Sequence, residues 1–164
     1  MGCGDSKHDA PARPSVPSGK TRICIAGFKI SHHTGKAHKM AAMIAEKFPD
    51  RFESWYYWAW SGQYNDFLKE TFDPVPFPPH LKGHGSSPFV WLEHSDGSGV
   101  TNTITPIGGR EHFVEWIKKE FTGHTQEETA IVEFAAVAPS LCGDASHMGD
   151  APMTCRVVPS TAPK

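Results

Sequence analysis

The stretch over residues 21–48 reads "TRICIAGFKISHHTGKAHKMAAMIAEKF" and contains the clearest secondary-structure pattern of the chain. Its first eight residues, 21–28, are mostly β-branched or apolar and predict a buried strand. Residues 37–48 have the apolar periodicity of an amphipathic helix, which ends before Pro49. A strand followed by such a helix indicates an α/β protein. The four residues "SHHT", 31–34, lie in the turn between them, where small α/β proteins often carry their chemistry.

The residues that follow continue the alternation of strand and helix. The aromatic run "RFESWYYWAW" has large rings on both faces, which predicts a central strand covered on each side. Ser61 is the candidate N-cap of the next helix, and "DGSG", 96–99, predicts a hairpin turn. The predicted elements are a strand over 51–60, a helix over 61–72, strands over 88–94 and 100–107, and a helix over 108–121.

The predicted order is therefore β-α-β-α-β-β-α. The first two strands should pair in parallel through a right-handed crossover, and the last two should pair antiparallel. The expected fold class is α/β, with a four-stranded mixed sheet and three flanking helices over residues 21–121. That arrangement is thioredoxin-like.

The composition favours one compact domain with tails. The chain has 164 residues and a net charge of -2, and its basic residues are interleaved with acidic ones, which argues against nucleic-acid binding. No apolar run approaches the ~20 residues that span a bilayer, and the polar N-terminus does not resemble a secretory signal. The cysteines show no metal-binding or disulfide-framework spacing, so reduced thiols on the cytosolic side are expected: Cys3, Cys24, Cys142 and Cys155.

The first seven residues carry the most specific short motif. "MGCGDSK" fits the N-myristoylation pattern at every position, with Gly2 as the acylated residue. One myristoyl chain binds membranes only marginally, and Cys3 supplies a palmitoylation site as the second signal. The sequence thus predicts dual acylation and a location at the cytoplasmic face of a membrane.

The two ends of the chain are expected to lie outside the domain. Residues 1–20 are rich in proline, serine and alanine after the motif and predict a flexible, semi-extended tether. Residues 122–164 predict a C-terminal extension that begins with a short helix, with Thr125 as N-cap and Glu128 completing a capping box. That helix would dock on the core or on a partner, and residues 140–164 are expected to be irregular when alone.

Several short motifs resemble those of glutaredoxin-like proteins. These are "AGF" at the end of the first strand, "SSPFVW" around Pro88, and "GGREHF" before the last helix. With "FPD" after the first helix, residues 22–121 resemble more narrowly the glutaredoxin-like N-terminal domain of the malate-dehydrogenase-like protein of ciliated cells. The resemblance implies a glutaredoxin-type thioredoxin fold, a cis peptide bond at Ser87–Pro88, and a ciliary or flagellar setting at the membrane or on the axoneme.

The turn departs from that family at the positions where the family has cysteine. Ser31 stands in place of the nucleophilic cysteine, and Thr34 stands in place of the resolving cysteine of true glutaredoxins. A serine provides no thiolate, so thiol–disulfide chemistry at this turn is excluded. No dinucleotide-binding glycine motif follows a strand, so hydride chemistry is not predicted. We expect no catalytic residue and no cofactor.

Two other uses of the turn are open but less favoured. His32 or His33 would have to activate Ser31 as a hydrolytic nucleophile, although adjacent residues rarely reach that geometry. A metal site would need the same histidines with His38, and their helical spacing permits a pair at most. The favoured interpretation is a polar cap over the helix start, in which Ser31 or Thr34 accepts from free backbone N–H groups.

A groove for a glutathione-like ligand is implied by the resemblance. The family recognises glutathione with backbone groups beside the cis-proline, with the double glycine and with a basic residue near the turn. The corresponding residues here are Lys29, Ser87, Pro88, Gly108 and Gly109. Without a nucleophile, such a groove can serve to dock a peptide.

Three functions follow from these observations. The first is a membrane-tethered, redox-inactive adaptor or structural protein in a larger protein assembly, with a cytoskeletal or axonemal partner. The second is a glutathione-binding or redox protein that uses a cysteine outside the turn, such as Cys142 or Cys155. The third is a metal-binding protein that uses the histidine-rich turn.

Overall fold

The computed structural model describes residues 8–73, 75, 78–81 and 84–139. Its strands are β1 (Thr21–Phe28), β2 (Phe52–Ala59), β3 (Phe89–Ser95) and β4 (Asn102–Gly108). Its helices are α1 (His32–Lys47), α2 (Ser61–Phe72), α3 (Arg110–Glu120) and α4 (Gln126–Ala136), with a short 3₁₀ turn at Pro79–Leu81. The predicted element order is confirmed.

The four strands form one open, mixed sheet in the order β2-β1-β3-β4. β1 pairs in parallel with β2 from Thr21 opposite Phe52 to Phe28 opposite Ala59. β1 and β3 pair antiparallel, as do β3 and β4, with a register shift beside Val90. The predicted α/β class and mixed sheet are therefore confirmed.

The prediction that β2 is central is wrong, because β2 lies at the edge of the sheet. Its two faces are nevertheless both covered in part. Tyr57 packs on Phe67 of α2, with ring centroids 5.1 Å apart, and Tyr56 meets His38 of α1 edge-on at 4.4 Å. Aromatic residues on both faces of a strand indicate that helices cover both faces. They do not indicate whether the strand has one neighbouring strand or two.

Helix α1 begins five residues before the stretch whose periodicity predicted it. Ser31 is its N-cap, and the Ser31 hydroxyl accepts a hydrogen bond from the Thr34 N–H at 3.3 Å. The predicted polar cap is confirmed. At α2 the predicted cap is wrong, because Ser61 is the first helical residue and Trp60 holds the N-cap position without a side-chain bond.

Alternate residues of β1 point into two separate cores. One core lies under α1, α3 and α4 and includes Ile23, Ile25, Met40, Ile44, Phe113, Ile117 and Phe121. The other lies under α2 and includes Cys24, Ala26, Tyr57, Tyr64, Phe67, Phe89 and Trp91. Both faces of the sheet are therefore buried, as the continuous apolar run of β1 requires.

Helix α4 docks on the first core. The Thr125 hydroxyl caps it by accepting from the Glu128 N–H at 3.1 Å, as predicted, and Ile131 is buried. The Glu128 carboxylate completes the cap one residue earlier than expected, by accepting from the His124 N–H at 3.0 Å. The ring of Phe134 lies 3.4 Å from Nζ of the buried Lys36 on α1. The helix was predicted to dock either on the core or on a partner, and it docks on the core.

Residues 8–20 differ from the expected free tether, because they lie across the face of the sheet beside α2. Val16 is 3% exposed, and its N–H donates to the Asn102 side chain at 2.8 Å. The Arg13 guanidinium stacks over Trp55 and pairs with the buried Glu93. Residues 8–20 have no apolar periodicity, so the sequence pattern did not predict that they dock through Arg13. The predicted acylation site (Gly2, Cys3) and the predicted tail over 140–164 lie outside the described residues.

Candidate functional site

The four residues of the turn form the start of α1. The Ser31 hydroxyl is engaged in the cap bond, and the rings of His32 and His33 contact each other in a tilted arrangement with centroids 4.3 Å apart. Partial burial, with the neighbouring His32 second, lowers the pKa of His33. The Ser31 hydroxyl is thus the N-terminal cap of α1.

Ser87 joins the turn to the proline loop. Its hydroxyl accepts from the Phe28 N–H at 2.8 Å and lies 2.9 Å from the Thr34 hydroxyl. The Ser87–Pro88 peptide bond is cis, as predicted. Gly27 allows this approach, because a Cβ atom there would lie 2.8 Å from the Ser87 oxygen. The end of β1, the start of α1 and the cis-proline loop therefore meet at one point.

An open cavity of ≈ 340 Å³ lies beside this junction. Ser87, Pro88 and Gly109, three of the five predicted groove residues, line it. The complete lining is His33, His84, Ser86, Ser87, Pro88, Gly109, Arg110, Glu111 and His112.

The other two predicted groove residues lie differently. Gly108 is buried beneath the rim with φ +121°, and a Cβ atom there would lie 2.6 Å from Nδ1 of His112. Lys29 is not brought to this cavity. It lines a separate cavity together with Asp9 and Tyr57, and its Nζ lies 5.6 Å from the centroid of Trp60. Its placement in the groove is corrected, because its side chain extends toward β2 and α2.

Arg110 supplies the basic group that was expected from Lys29. It is the first residue of α3, and its Nη2 lies 3.6 Å from the Glu111 carboxylate. Its Nε is buried without a hydrogen-bond partner among the described residues. The helix N-terminus adds positive potential at the same rim. The segment "GGREHF" predicted only a turn and a helix, and Arg110 was not among the predicted groove residues. The first turn of a helix faces the loop that precedes it, and that rule is the signal that could have placed Arg110 at the groove.

The cavity is rich in imidazole. Burial lowers the pKa of His84, and hydrogen bonds to the backbone around Pro88 and Ser86 oppose that shift. His112 folds back to accept from the Gly109 N–H at 3.3 Å, as a side-chain cap of α3. With His33 and His84 biased toward their neutral forms, the cavity offers polar donors and acceptors together with two opposite charges, the Arg110 guanidinium and the Glu111 carboxylate.

Among the described residues, no thiol lines the cavity. Cys24, the one cysteine within the described residues, lies in the second core on the opposite face of the sheet. Burial raises its pKa well above the usual range of a thiol. The described residues contain no group of three or more His, Cys, Asp or Glu side chains placed to hold a metal ion. What the cavity can do chemically is bind a ligand through hydrogen bonds and through the opposite charges of Arg110 and Glu111.

The chain was compared with family models, with curated proteins and with solved structures, and none of the three comparisons gives a match. Among the described residues, no helix combines the length and the apolar character needed to cross a bilayer. The fold and the site define an α/β domain with a four-stranded mixed open sheet, four helices and a polar cavity at the junction of β1, α1 and the cis-proline loop.

Proposed function

We propose that this chain is a non-catalytic adaptor or structural protein with a thioredoxin-like, glutaredoxin-type domain, held at the cytoplasmic face of a membrane by acyl groups on Gly2 and Cys3. The sheet order β2-β1-β3-β4 and its mixed pairing support the thioredoxin-like assignment. So do the positions of the turn, the cis-proline and the double glycine around one cavity.

One observation carries the non-catalytic part of the proposal. At the position that the family gives to its nucleophile, the Ser31 hydroxyl accepts the Thr34 N–H and caps α1. A serine there has no thiolate, and the cysteine nearest in sequence, Cys24, is buried on the other face. The turn keeps its structural role in starting the helix and has no reactive group for redox exchange.

The adaptor part rests on the resemblance and on the cavity. The family resemblance points to a ciliary or flagellar assembly, at the membrane or on the axoneme. The cavity beside Pro88 presents hydrogen-bonding groups, with Arg110 and Glu111 at its rim, which suit an extended peptide of a protein partner. The membrane part rests on the motif "MGCGDSK".

A second candidate function is glutathione binding without chemistry. The observation that favours it is the joint placement of Ser87, Pro88, Gly109 and Arg110 on one cavity. Titration calorimetry with reduced glutathione tests it. Binding that Arg110→Ala abolishes and Arg51→Ala leaves unchanged favours this candidate, whereas heats equal to buffer exclude it.

Catalysis is tested with insulin reduction and glutathione-disulfide exchange on the purified chain. We expect background rates for the native sequence, because no accessible low-pKa thiol lies at the turn. A rate above background that disappears in the double variant Cys142→Ser/Cys155→Ser would instead establish the redox alternative, in which a cysteine outside the turn acts.

The adaptor function is tested by affinity purification from ciliated cells. We expect defined proteins to accompany the native chain in stoichiometric amounts. The rim variant Arg110→Glu should lose a peptide partner that docks in the cavity, while the exposed variant Arg51→Glu, distant from the rim, serves as the matched control. Recovery of the chain alone, from both membrane and axonemal fractions, would contradict an adaptor role.

A further inference from the structure

Three neighbouring residues at one end of the sheet form an exposed amphipathic surface, Lys29, Ile30 and Trp60. Ile30 is 71% exposed and Trp60 is 58% exposed. The Lys29 N–H donates to the Ala59 carbonyl at 3.0 Å, so the two loops that follow β1 and β2 lie side by side. The Lys29 ammonium lies 5.6 Å from the centre of the Trp60 ring. Nothing else in the described residues covers these apolar groups.

The N-terminal segment reaches the same end of the sheet. The Tyr57 hydroxyl donates to the Asp9 carboxylate at 2.7 Å, and His8 pairs with Glu70 of α2 at 2.9 Å. Asp9 and Lys29 line one cavity of ≈ 400 Å³. The first described residues therefore lie beside the Lys29–Ile30–Trp60 surface, and from there the chain runs back across the sheet toward β4.

The docked segment limits how far an acyl group on Gly2 can lie from the domain. Gly2 precedes His8 by six residues, and a fully extended chain covers at most ~3.6 Å per residue, so that distance is below about 22 Å. If residues 5–20 formed a free, semi-extended tether, those sixteen residues would allow roughly 50 Å. Docking of residues 8–20 removes most of that reach.

We infer that the Lys29–Ile30–Trp60 surface lies against the membrane that receives the acyl groups. The inference rests on the proposed acylation of Gly2. Its chemistry is that of a lipid interface: an indole ring is favoured at the headgroup level, an isoleucine enters the acyl boundary, and a lysine reaches the phosphates of anionic lipids. The two carboxylates nearby are engaged within the protein, Asp9 by Tyr57 and Glu70 by His8. One acyl chain alone binds marginally, so these side chains add affinity and fix the orientation of the domain.

The test uses the full chain, myristoylated on Gly2 by co-expression with an N-myristoyltransferase, and vesicles of phosphatidylcholine with phosphatidylserine. The variant Ile30→Ser/Trp60→Ser should bind these vesicles about 10-fold more weakly, because it loses apolar area from the interface. Lys29→Ala should weaken binding to vesicles with phosphatidylserine by about 5-fold and leave binding to pure phosphatidylcholine unchanged. The control Val100→Ser/Val137→Ser removes two residues that are equally exposed, elsewhere on the surface, and should bind like the parent.

A second readout locates the surface directly. Lipids brominated on their acyl chains should quench the tryptophan fluorescence of the bound protein, and Trp60→Phe should remove most of that quenching. Equal vesicle binding by the Ile30→Ser/Trp60→Ser variant and the parent, or quenching that survives Trp60→Phe, would overturn the inference.

Failure of the acylation itself gives a different result. The chain that was myristoylated by co-expression would then bind vesicles through this surface, although protein from its own cells carries no myristate on Gly2. If Ile30→Ser/Trp60→Ser binds vesicles like the parent but loses a protein that copurifies with it, the surface belongs to a protein partner and the membrane assignment is wrong.

Discussion

Arg13 and Glu93 form an ion pair across 80 residues of sequence, with Nε and Oε1 2.8 Å apart. Glu93 is 1% exposed, and its carboxylate also accepts hydrogen bonds from Nη1 of Arg22 at 3.2 Å and from Nε1 of Trp91 at 3.1 Å. The Arg13 guanidinium stacks over Trp55 as well. This pair fastens residues 8–20 to the sheet.

Loss of the Arg13 side chain should destabilise the domain and release the segment. Arg13→Ala removes one partner of a buried carboxylate, but Arg22 remains, so we expect a loss of about 2 kcal/mol in the free energy of unfolding. Urea denaturation measures it, and limited proteolysis should cut within residues 8–20 earlier than in the parent.

The matched control is Arg51→Ala. Arg51 pairs with Glu120 at 2.7 Å on the surface, where the two side chains are 50% and 35% exposed. A change of less than about 1 kcal/mol is expected there. If Arg13→Ala is no more harmful than Arg51→Ala, the N-terminal segment is not held by its ion pair.

Removal of the α1 cap should cost about 1 kcal/mol in the free energy of unfolding. Ser31→Ala leaves the Thr34 N–H without its acceptor at the helix start. Ser61→Ala is the control, because Ser61 begins α2 without capping it and should change stability by a few tenths of a kcal/mol. Equal effects in thermal and urea unfolding would show that the Ser31 hydroxyl contributes nothing as a cap.

The variant Ser31→Cys should give a reactive thiol. The N-terminus of α1 favours the thiolate there, so alkylation at neutral pH should exceed that of a free cysteine. Cys24 is buried with a raised pKa and should resist the same reagent until the domain unfolds. Alkylation followed by peptide mass spectrometry separates the two sites. A thiol at 31 that reacts no faster than free cysteine would mean that Ser31 does not occupy the nucleophile position.

Acidification should weaken the fold through the two histidines at the cavity. His33 and His84 have pKa values below the usual 6.5 in the folded chain, chiefly because of burial. The unfolded chain then binds more protons as the pH falls below about 6.5, so the free energy of unfolding decreases in that direction and is unaffected by these groups at higher pH. Urea midpoints measured between pH 7.5 and 5.5 should fall, and less so in His33→Gln/His84→Gln. An unchanged slope in that variant would assign the pH dependence to other groups.

The strands and helices were predicted more accurately than the order of the strands in the sheet. The predicted strand over 21–28 and the predicted helix over 61–72 are both confirmed. Each could be predicted because the buried face of a strand or helix places apolar residues at the period of that element. The early start of α1 at His32 was missed, since the first turn lacks apolar residues and depends on the Ser31 cap. The position of β2 in the sheet was predicted wrongly. Its aromatic residues are the same whether the strand is central or is an edge strand covered by helices on both faces.

The candidate site was predicted only in part, because some of its residues are far apart in the sequence and meet only in the folded chain. Ser87, Pro88 and Gly109 were predicted from motifs and share the cavity, but His84 and Arg110 were missed because only tertiary packing brings them there. Lys29 was assigned by its closeness in sequence to the turn, whereas its side chain reaches the opposite side of the β1 end. Docking of residues 8–20 depends on Arg13 meeting a carboxylate 80 residues away, which no local pattern encodes.

The most direct test of the account is the membrane fraction of Gly2→Ala expressed in ciliated cells, compared with the native chain and with Cys3→Ser. The native chain should sediment with membranes and carry a myristoylated N-terminal peptide by mass spectrometry. Gly2→Ala should move to the soluble fraction, and Cys3→Ser should be retained in part, because each buried CH₂ of an acyl chain contributes about 0.8 kcal/mol. A Gly2→Ala chain that fractionates with membranes like the native one would contradict the proposal that acylation tethers this domain.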